Sequence, residues 1–197
     1  MPKIVDHDAQ RQRFCEAAMR LIARDGMEGL TMRAVAAEAQ LSYGSLFHYF
    51  DSKEALLTYA IRHLMESQTR RVNEFSSRLT GLRSIEELLC DDAVVDSSSR
   101  DGWLVWVAFL YKAALHREFA AMNTDLIRGW LGRIEAELQV ARESGEVAQD
   151  LDIESEAMAI WVFSSGLGQS GLLHPEWLPP ARQKAMIKAY LQRLEAA

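Results

Sequence analysis

Cysteine is nearly absent from this chain, and the two that occur, Cys15 and Cys90, fall in separate apolar helical runs without metal-ligand spacing. That argues against a disulfide-stapled fold and against a Cys/His metal set. Both are expected to be buried thiols of a reducing cytosol, a redox switch being the alternative. Long apolar runs are missing too. Nothing approaches the length that spans a bilayer, and the opening MPKIVDHDAQ is too charged for a secretory signal, so a cytoplasmic location without a membrane partner is expected. There is no Gly-rich phosphate loop, nucleophile elbow or HExxH. The nearest approach to a catalytic pair, His116 with Glu118, stands two residues apart on a helix, where side chains point in different directions. No enzyme activity, metal or cofactor is expected. Repeats, low-complexity tracts, Pro/Ser-rich linkers and strand patterns are absent as well.

What is present is organised around residues 31–53, TMRAVAAEAQLSYGSLFHYFDSK. Thr31 is a helix cap, and residues 32–39, Ala-rich with Glu and Arg, are helix-prone, with Met32, Val35 and Ala36 on one face. Leu41-Ser42 ends that helix and caps the next, barely two turns long, which turns Leu46 and Phe50 inward and leaves Tyr43, Ser45 and His48 outside. A bracing helix followed by one with an exposed polar start is a helix-turn-helix, the layout that reads base edges. Asp51-Ser52-Lys53-Glu54 reads as a capping box with Asp51 at the cap. It opens a long helix, and Lys53 in the first turn suggests an anion nearby.

Residues 14–57, with GMEGLTMRAVAAEAQLSYGSLFHYFDSKEALL at their centre, resemble the N-terminal domain of TetR-type transcriptional regulators. Gly26, Gly29-Leu30-Thr31, Val35-Ala36, Gly44, Leu46, Tyr49-Phe50 and Ser52-Lys53-Glu54 fall in register over about a quarter of the chain. The HYF ending is similar to the branch that holds the choline-responsive repressors of betaine synthesis. The resemblance implies a sequence-specific regulator, a repressor released from a palindromic DNA operator by a small-molecule effector. The alternative is an activator, or a helical ligand-binding protein without repressor function. It also implies base readout by Ser42 and Tyr43, with Gly44 allowing close backbone approach and Ser45 beside them. Thr31, Arg33, His48, Tyr49 and Lys53 are implied as phosphate contacts, which fix register but carry little sequence information. Phe47 departs from the pattern: many members carry Tyr there, and its hydroxyl is missing here.

The net charge of -6 speaks against DNA until it is divided: residues 1–80 hold 11 Lys/Arg and 10 Asp/Glu, residues 81–197 hold 11 and 18. DNA binding then rests on placed contacts rather than a broad basic surface. Arg11 and Arg13 lie either beside the DNA backbone or on a solvated face. The first helix is expected from a cap at Asp8 to Asp25, ended by Gly26, with Phe14, Ala17, Ala18, Leu21 and Ile22 buried. A helix over residues 52–79 buries Leu56, Leu57, Ala60, Ile61, Leu64, Met65, Val72, Phe75 and Leu79 and links the two parts mechanically. Gln68 interrupts its stripe. Ser84 to Glu87 reads as a second capping box opening a helix to about residue 95. Residues 96–102 read as a loop. Residues 103–119, 123–144, 153–173 and 181–195 read as further helices, the second closed by a turn at Gly145 and the last two joined by a proline-bearing loop. The expected fold is all-α with about nine helices. A helix-turn-helix DNA-binding domain is expected over residues 1–51, and a helical effector-binding and dimerisation domain over 52–197.

Five tryptophans are more large rings than packing alone requires. Trp106, Phe109, Trp130 and Trp161 are expected to wall a pocket, with Trp103 beside them and Gln68 or His116 as orienting polar groups, although any one ring could equally be core. Such walls suit a flat apolar effector or a cation held on ring faces. Glu86, Glu87, Asp91 and Asp92 read as a solvated helix face rather than a metal site. The last two helices carry small and apolar residues, Ala157, Ser164 and Gly168 on one, Ile187, Tyr190, Leu191 and Leu194 on the other. These are expected to build the two-fold interface of a homodimer, core packing within one chain being the alternative. A dimer of this kind reads half-sites about 34–36 Å apart or a multiple of that. The effector is expected to act by moving the helix over residues 52–79, which changes the separation of the two reading heads.

Overall fold

The computed structural model describes residues 7–196, without the side chains of Phe75 and Ser76, so that the expected burial of Phe75 lies outside the described residues. Nine helices follow one another among them: α1 (His7–Gly29), α2 (Met32–Glu38), α3 (Tyr43–Leu46), α4 (Lys53–Ser76), α5 (Gly81–Asp92), α6 (Ser97–Leu115), α7 (Arg117–Ser144), α8 (Ile153–Leu173) and α9 (Pro180–Gln192). The fold is all-α; a lone antiparallel bridge joins Val147 to Glu195. No helix among the described residues is long and apolar enough to cross a membrane.

Local chemistry sets most of the boundaries in the first fifty residues. Thr31 Oγ1 accepts from the Ala34 amide at 3.1 Å and Ser42 Oγ from the Ser45 amide at 3.0 Å, so both expected caps form. Between them Gln40 takes φ 55°. The Gln40 amide bonds the Ala37 carbonyl and the Leu41 amide the Ala36 carbonyl, each at 3.0 Å, the left-handed closure that ends a helix within one residue. Two expectations need correction. Asp8 lies in the first turn of α1 rather than at its cap, whereas Gly26 breaks the helix at φ 70° and ψ -169°, as expected, before a short helical stretch runs on to Gly29. The cap of α4 is Ser52, whose Oγ accepts from the Ala55 amide at 3.0 Å; Asp51 is one residue too early for that bond. α3 is a single turn, continued by turns through Tyr49.

Further along, helix ends are set by residues distant in sequence. α5 begins at Gly81, φ 63°, three residues before the expected Ser84 cap. Its first amides are taken by carboxylates of other segments: Glu137 of α7 accepts from Gly81 N at 2.9 Å and Glu146 from Leu82 N at 3.0 Å. Ser84 is buried inside the helix and donates to Glu137 at 2.9 Å. Past the other end of α5, buried Gln183 of α9 accepts from Val94 N at 3.0 Å and donates to Val94 O at 2.8 Å. The expected loop over 96–102 is instead the first turns of α6, opened by a capping box between Asp96 and Ser99. α6 stops at His116, in extended backbone at φ -128°, and α7 starts there, so Phe119 belongs to α7.

Two apolar clusters result. One gathers α1, α2, α3 and the start of α4 against Val105, Phe109 and Phe119. The other joins α5, α7, α8 and α9 around Ile134, Leu138, Ile160 and Ile187. α4 belongs to both, through Leu56, Leu57 and Ile61 in the first and Val72 in the second. Arg11 and Arg13 are exposed, and each also makes a contact within the chain: Arg11 lies over the Tyr59 ring at 4.6 Å, and Arg13 donates to the carbonyl of Ala39 at 2.8 Å.

The residues expected at a dimer interface face inward. Ala157, Ser164, Gly168, Ile187 and Leu191 are buried within one protomer, and Tyr190 stacks on Phe163 at 4.5 Å. Leu194 is half-buried against the same core. The small residues of α8 have an internal cause. A Cβ on Gly168 would sit 1.9 Å from Trp103 Cζ2, and one on Gly171 would meet the Gln183 amide at 2.7 Å. The outward apolar side chains of α8 and α9 are Met158, Val162, Leu173 and Met186. Gly168→Ala is therefore expected to destabilise the fold by about 1–3 kcal/mol in urea denaturation. Gly166→Ala, whose Cβ would meet open space, is expected to cost nothing.

Candidate DNA-reading head and effector cavity

At the head, Tyr43 and Phe47 stand exposed, packed edge to face at 5.1 Å, and Arg33 lies 5.6 Å from the Tyr43 ring centre. Thr31, Ser42, Gly44 and His48 are exposed beside them, and a Cβ on Gly44 would meet nothing within 4 Å. Ser45 is half-buried, its hydroxyl donating to Ser42 O at 2.8 Å. The hydroxyl of Tyr49 donates to Gln10 at 2.9 Å and lies 3.0 Å from His7 Nδ1, which ties the start of α1 to the recognition segment. Lys53 donates to the carbonyl of Met27, beyond the α1 kink, at 2.9 Å. An ammonium has three donors, so this bond leaves room for a phosphate.

The second site is a half-open cavity of about 870 Å³ bordered by α1, α4, the end of α5, α6, α7 and α8. Trp103, Trp106, Trp130, Trp161 and Gln68 line it, as expected. Phe109 does not: it is fully buried in the first cluster against Trp106 and Phe119. His116 is exposed at the break between α6 and α7, away from the cavity lining. The expected solvated carboxylate face also fails in its second half. Glu87 is exposed, but Asp91 and Asp92 turn into the cavity.

Asp92 is the residue that the sequence reading missed. Its Oδ2 accepts from Ser164 of α8 at 2.6 Å, its Oδ1 from Gln68 Nε2 of α4 at 3.3 Å, and its backbone carbonyl from Trp103 Nε1 at 2.6 Å. Burial pushes the carboxyl above its ordinary range, against the two side-chain hydrogen bonds, which lower it. Arg71, the guanidinium nearby, is bidentate on Asp91 at 2.9 and 3.1 Å. A signal did exist: Asp92 lies four residues after Leu88 and three after Leu89, on the buried stripe of α5. Cys15 is buried and its thiol is pushed up to about 12, chiefly by desolvation, so it stays protonated. Cys90 is half-buried at the cavity wall and its thiol is also raised by burial. Among the described residues no three His, Cys, Asp or Glu converge as a metal site.

Residues 14–60 match the family model of bacterial regulatory proteins of the tetR family, and residues 80–196 match that of the BetI-type transcriptional repressor C-terminal domain. The chain belongs to the TetR family. Over 195 residues it is 29% identical to the HTH-type transcriptional regulator PksA of Bacillus subtilis, covering 98% of this chain and 94% of PksA. It is 31% identical over 123 residues to the HTH-type transcriptional regulator BetI of Burkholderia ambifaria, covering 59% of this chain and 63% of BetI. A putative transcriptional regulator from Saccharomonospora viridis, solved in complex with choline, superposes with TM-score 0.87 at 21% identity, over 94% of this chain and 96% of that one. A TetR transcription regulator from Haloarcula marismortui superposes with TM-score 0.84 at 16% identity, over 96% and 100%. This TetR-family protein is thus a DNA-binding transcriptional regulator with a helix-turn-helix head and a helical ligand-binding region, and its relatives are regulators, not enzymes.

The raised carboxyl of Asp92 has a stability consequence. Its folded-state pKa lies above the unfolded one, so its contribution is fully present below the ordinary carboxylate value and is lost as pH rises through the raised one. Asp92→Asn is expected to leave Tm unchanged below about pH 4 and to raise it over wild type at about pH 8.

Proposed function

We propose that the protein is a homodimeric repressor that holds a near-palindromic operator and releases it when an organic cation enters the cavity. The observation that carries the effector class is the charge of the cavity wall. Glu16, Asp91, Asp92, Asp96 and Asp101 line it against Arg20 and Arg71, among four tryptophans. Ring faces and carboxylates together favour a cation over a neutral apolar molecule. The choline held by a protein of the same fold supports that class. The volume leaves room for a cation larger than choline.

In this reading residues 1–51 are the DNA-binding domain and residues 52–197 the effector-binding and dimerisation domain. Tyr43 and Ser42 read base edges where Gly44 lets the backbone approach, while Thr31, Arg33, His48 and Lys53 meet phosphates. Tyr49 and Ser45, whose hydroxyls are engaged within the chain, act by holding the recognition segment in place. The dimer forms on the outward apolar side chains of α8 and α9, Met158, Val162 and Met186 among them. The protein is expected to act on DNA in the cytoplasm.

Operator DNA selected from a randomised palindromic library gives the test. Tyr43→Ala is expected to relax preference at one position per half-site. Lys53→Ala is expected to weaken all sequences alike and flatten the salt slope by about one unit. An unchanged preference matrix for Tyr43→Ala would overturn the assignment of base contacts. Choline and a benzyl-bearing quaternary ammonium, each compared with its neutral carbon isostere, test the effector class by calorimetry and by release from operator. Equal affinity for the charged and neutral members of both pairs would sink the cation reading.

A further inference from the structure

We infer that Asp92 is both the counter-charge of the effector and the catch that holds α4, so that a cation seated on its carboxylate takes the place of the Gln68 hydrogen bond. This rests on the cation reading above. The placement of Asp92 is unfavourable for an anion in three independent ways. It is the last residue of α5, at the negative end of the helix dipole. Its neighbour Asp91 also points into the cavity and keeps Arg71 to itself. Its own side-chain partners, Ser164 and Gln68, are neutral. A cation would relieve all three at once.

The two hydrogen bonds are unequal, and the difference decides which gives way. Ser164 on α8 donates at 2.6 Å, whereas Gln68 on α4 donates at 3.3 Å, at the long limit for an N–H···O bond. A cation approaching from the cavity therefore displaces Gln68 and leaves the carboxylate fixed to α8. Gln68 lies on the one helix that also carries Leu56, Leu57 and Ile61 into the core of the reading head. Loss of its bond removes a tie between the head-bearing helix and the body.

The same geometry makes binding proton-linked. Burial raises the Asp92 carboxyl, and a cation binds the ionised form, so at pH below the raised value each binding event expels a proton to solvent. Other charged groups face the cavity: His63 and Arg71 from α4, Glu16 and Arg20 from α1, and Asp96 and Asp101 around the start of α6. α7 and α8 bring only uncharged lining residues. Arg20 is paired with Glu38 at 3.0 Å, and Asp96 is held ionised by its hydrogen bonds to Ser99. All of these groups, and Asp91, are unchanged in an Asp92→Asn variant, so only a pH dependence lost with Asp92 belongs to its carboxyl.

The test uses the full chain and whichever of the two quaternary ammonium probes binds more tightly, with calorimetry in buffers of different ionisation heat. Wild type is expected to release a proton on binding and to gain affinity as pH rises. Asp92→Asn is expected to lose affinity about thirtyfold or more and to release no proton. Gln68→Ala is expected to keep the probe and the proton release, while the probe's weakening of operator affinity, about fivefold or more in wild type, disappears. If wild type binds neither probe, the cation reading itself fails. If it binds without releasing a proton, or if Asp92→Asn binds like wild type with the same pH dependence, this inference falls and the cation reading stands. A Gln68→Ala variant that the probe still releases from operator as it does wild type overturns the catch. A wild type that binds the probe but releases no proton at any pH between about 4 and about 8 overturns the inference even if a variant does not fold.

Discussion

Leu56 and Val72 lie on the same helix but in different cores, and most of what the molecule does depends on that. α4 is a continuous hydrogen-bonded rod of 24 residues, stiff along its axis, and neither cluster could shift its share of α4 without straining the other. Interiors are packed too tightly to absorb such a shift by gradual deformation, so the head responds to the body as a unit. The first cluster also takes in Val105, Phe109 and Phe119 from α6 and α7. The head is thereby braced by the body's helices as well as connected through α4.

How much of this the sequence disclosed depended on how far each determinant lay along the chain. Thr31, Ser42 and Gly145 act within a few residues of themselves, and their caps and stops were legible. Asp51 failed by one position because Ser52 offers the same chemistry one residue later. The start of α5 was illegible in principle from local pattern, since the carboxylates that hold Gly81 and Leu82 belong to Glu137 and Glu146. Residues 96–102 misled for a different reason: Asp and Ser favour loops and helix starts alike, by the same side-chain-to-amide bonds.

The cavity was half legible. Large rings at helical spacing put four tryptophans and Gln68 on its wall, where they lie, but gave no means of separating Phe109, which faces the core, from Trp106 nearby. The small residues of α8 were read as the mark of a second chain when their neighbour was Trp103 of the same chain. Close approach leaves the same signature in sequence whichever molecule supplies the partner. Asp92 was passed over because a carboxylate among carboxylates looks solvated, although its spacing from Leu88 and Leu89 put it on the buried side.

The way α5 is held at both ends bears on the order in which the protein assembles. Its first amides wait for Glu137 and Glu146, and the backbone just beyond its last turn waits for Gln183. A chain emerging from the ribosome can set the head's local caps before these groups exist, while the head's core still waits for Phe109 and Phe119. The ends of α5 wait longer, until α7 and finally α9 have been made. The nascent protein thus passes through an interval in which the caps of the DNA-reading end are set and both ends of α5 are still unheld.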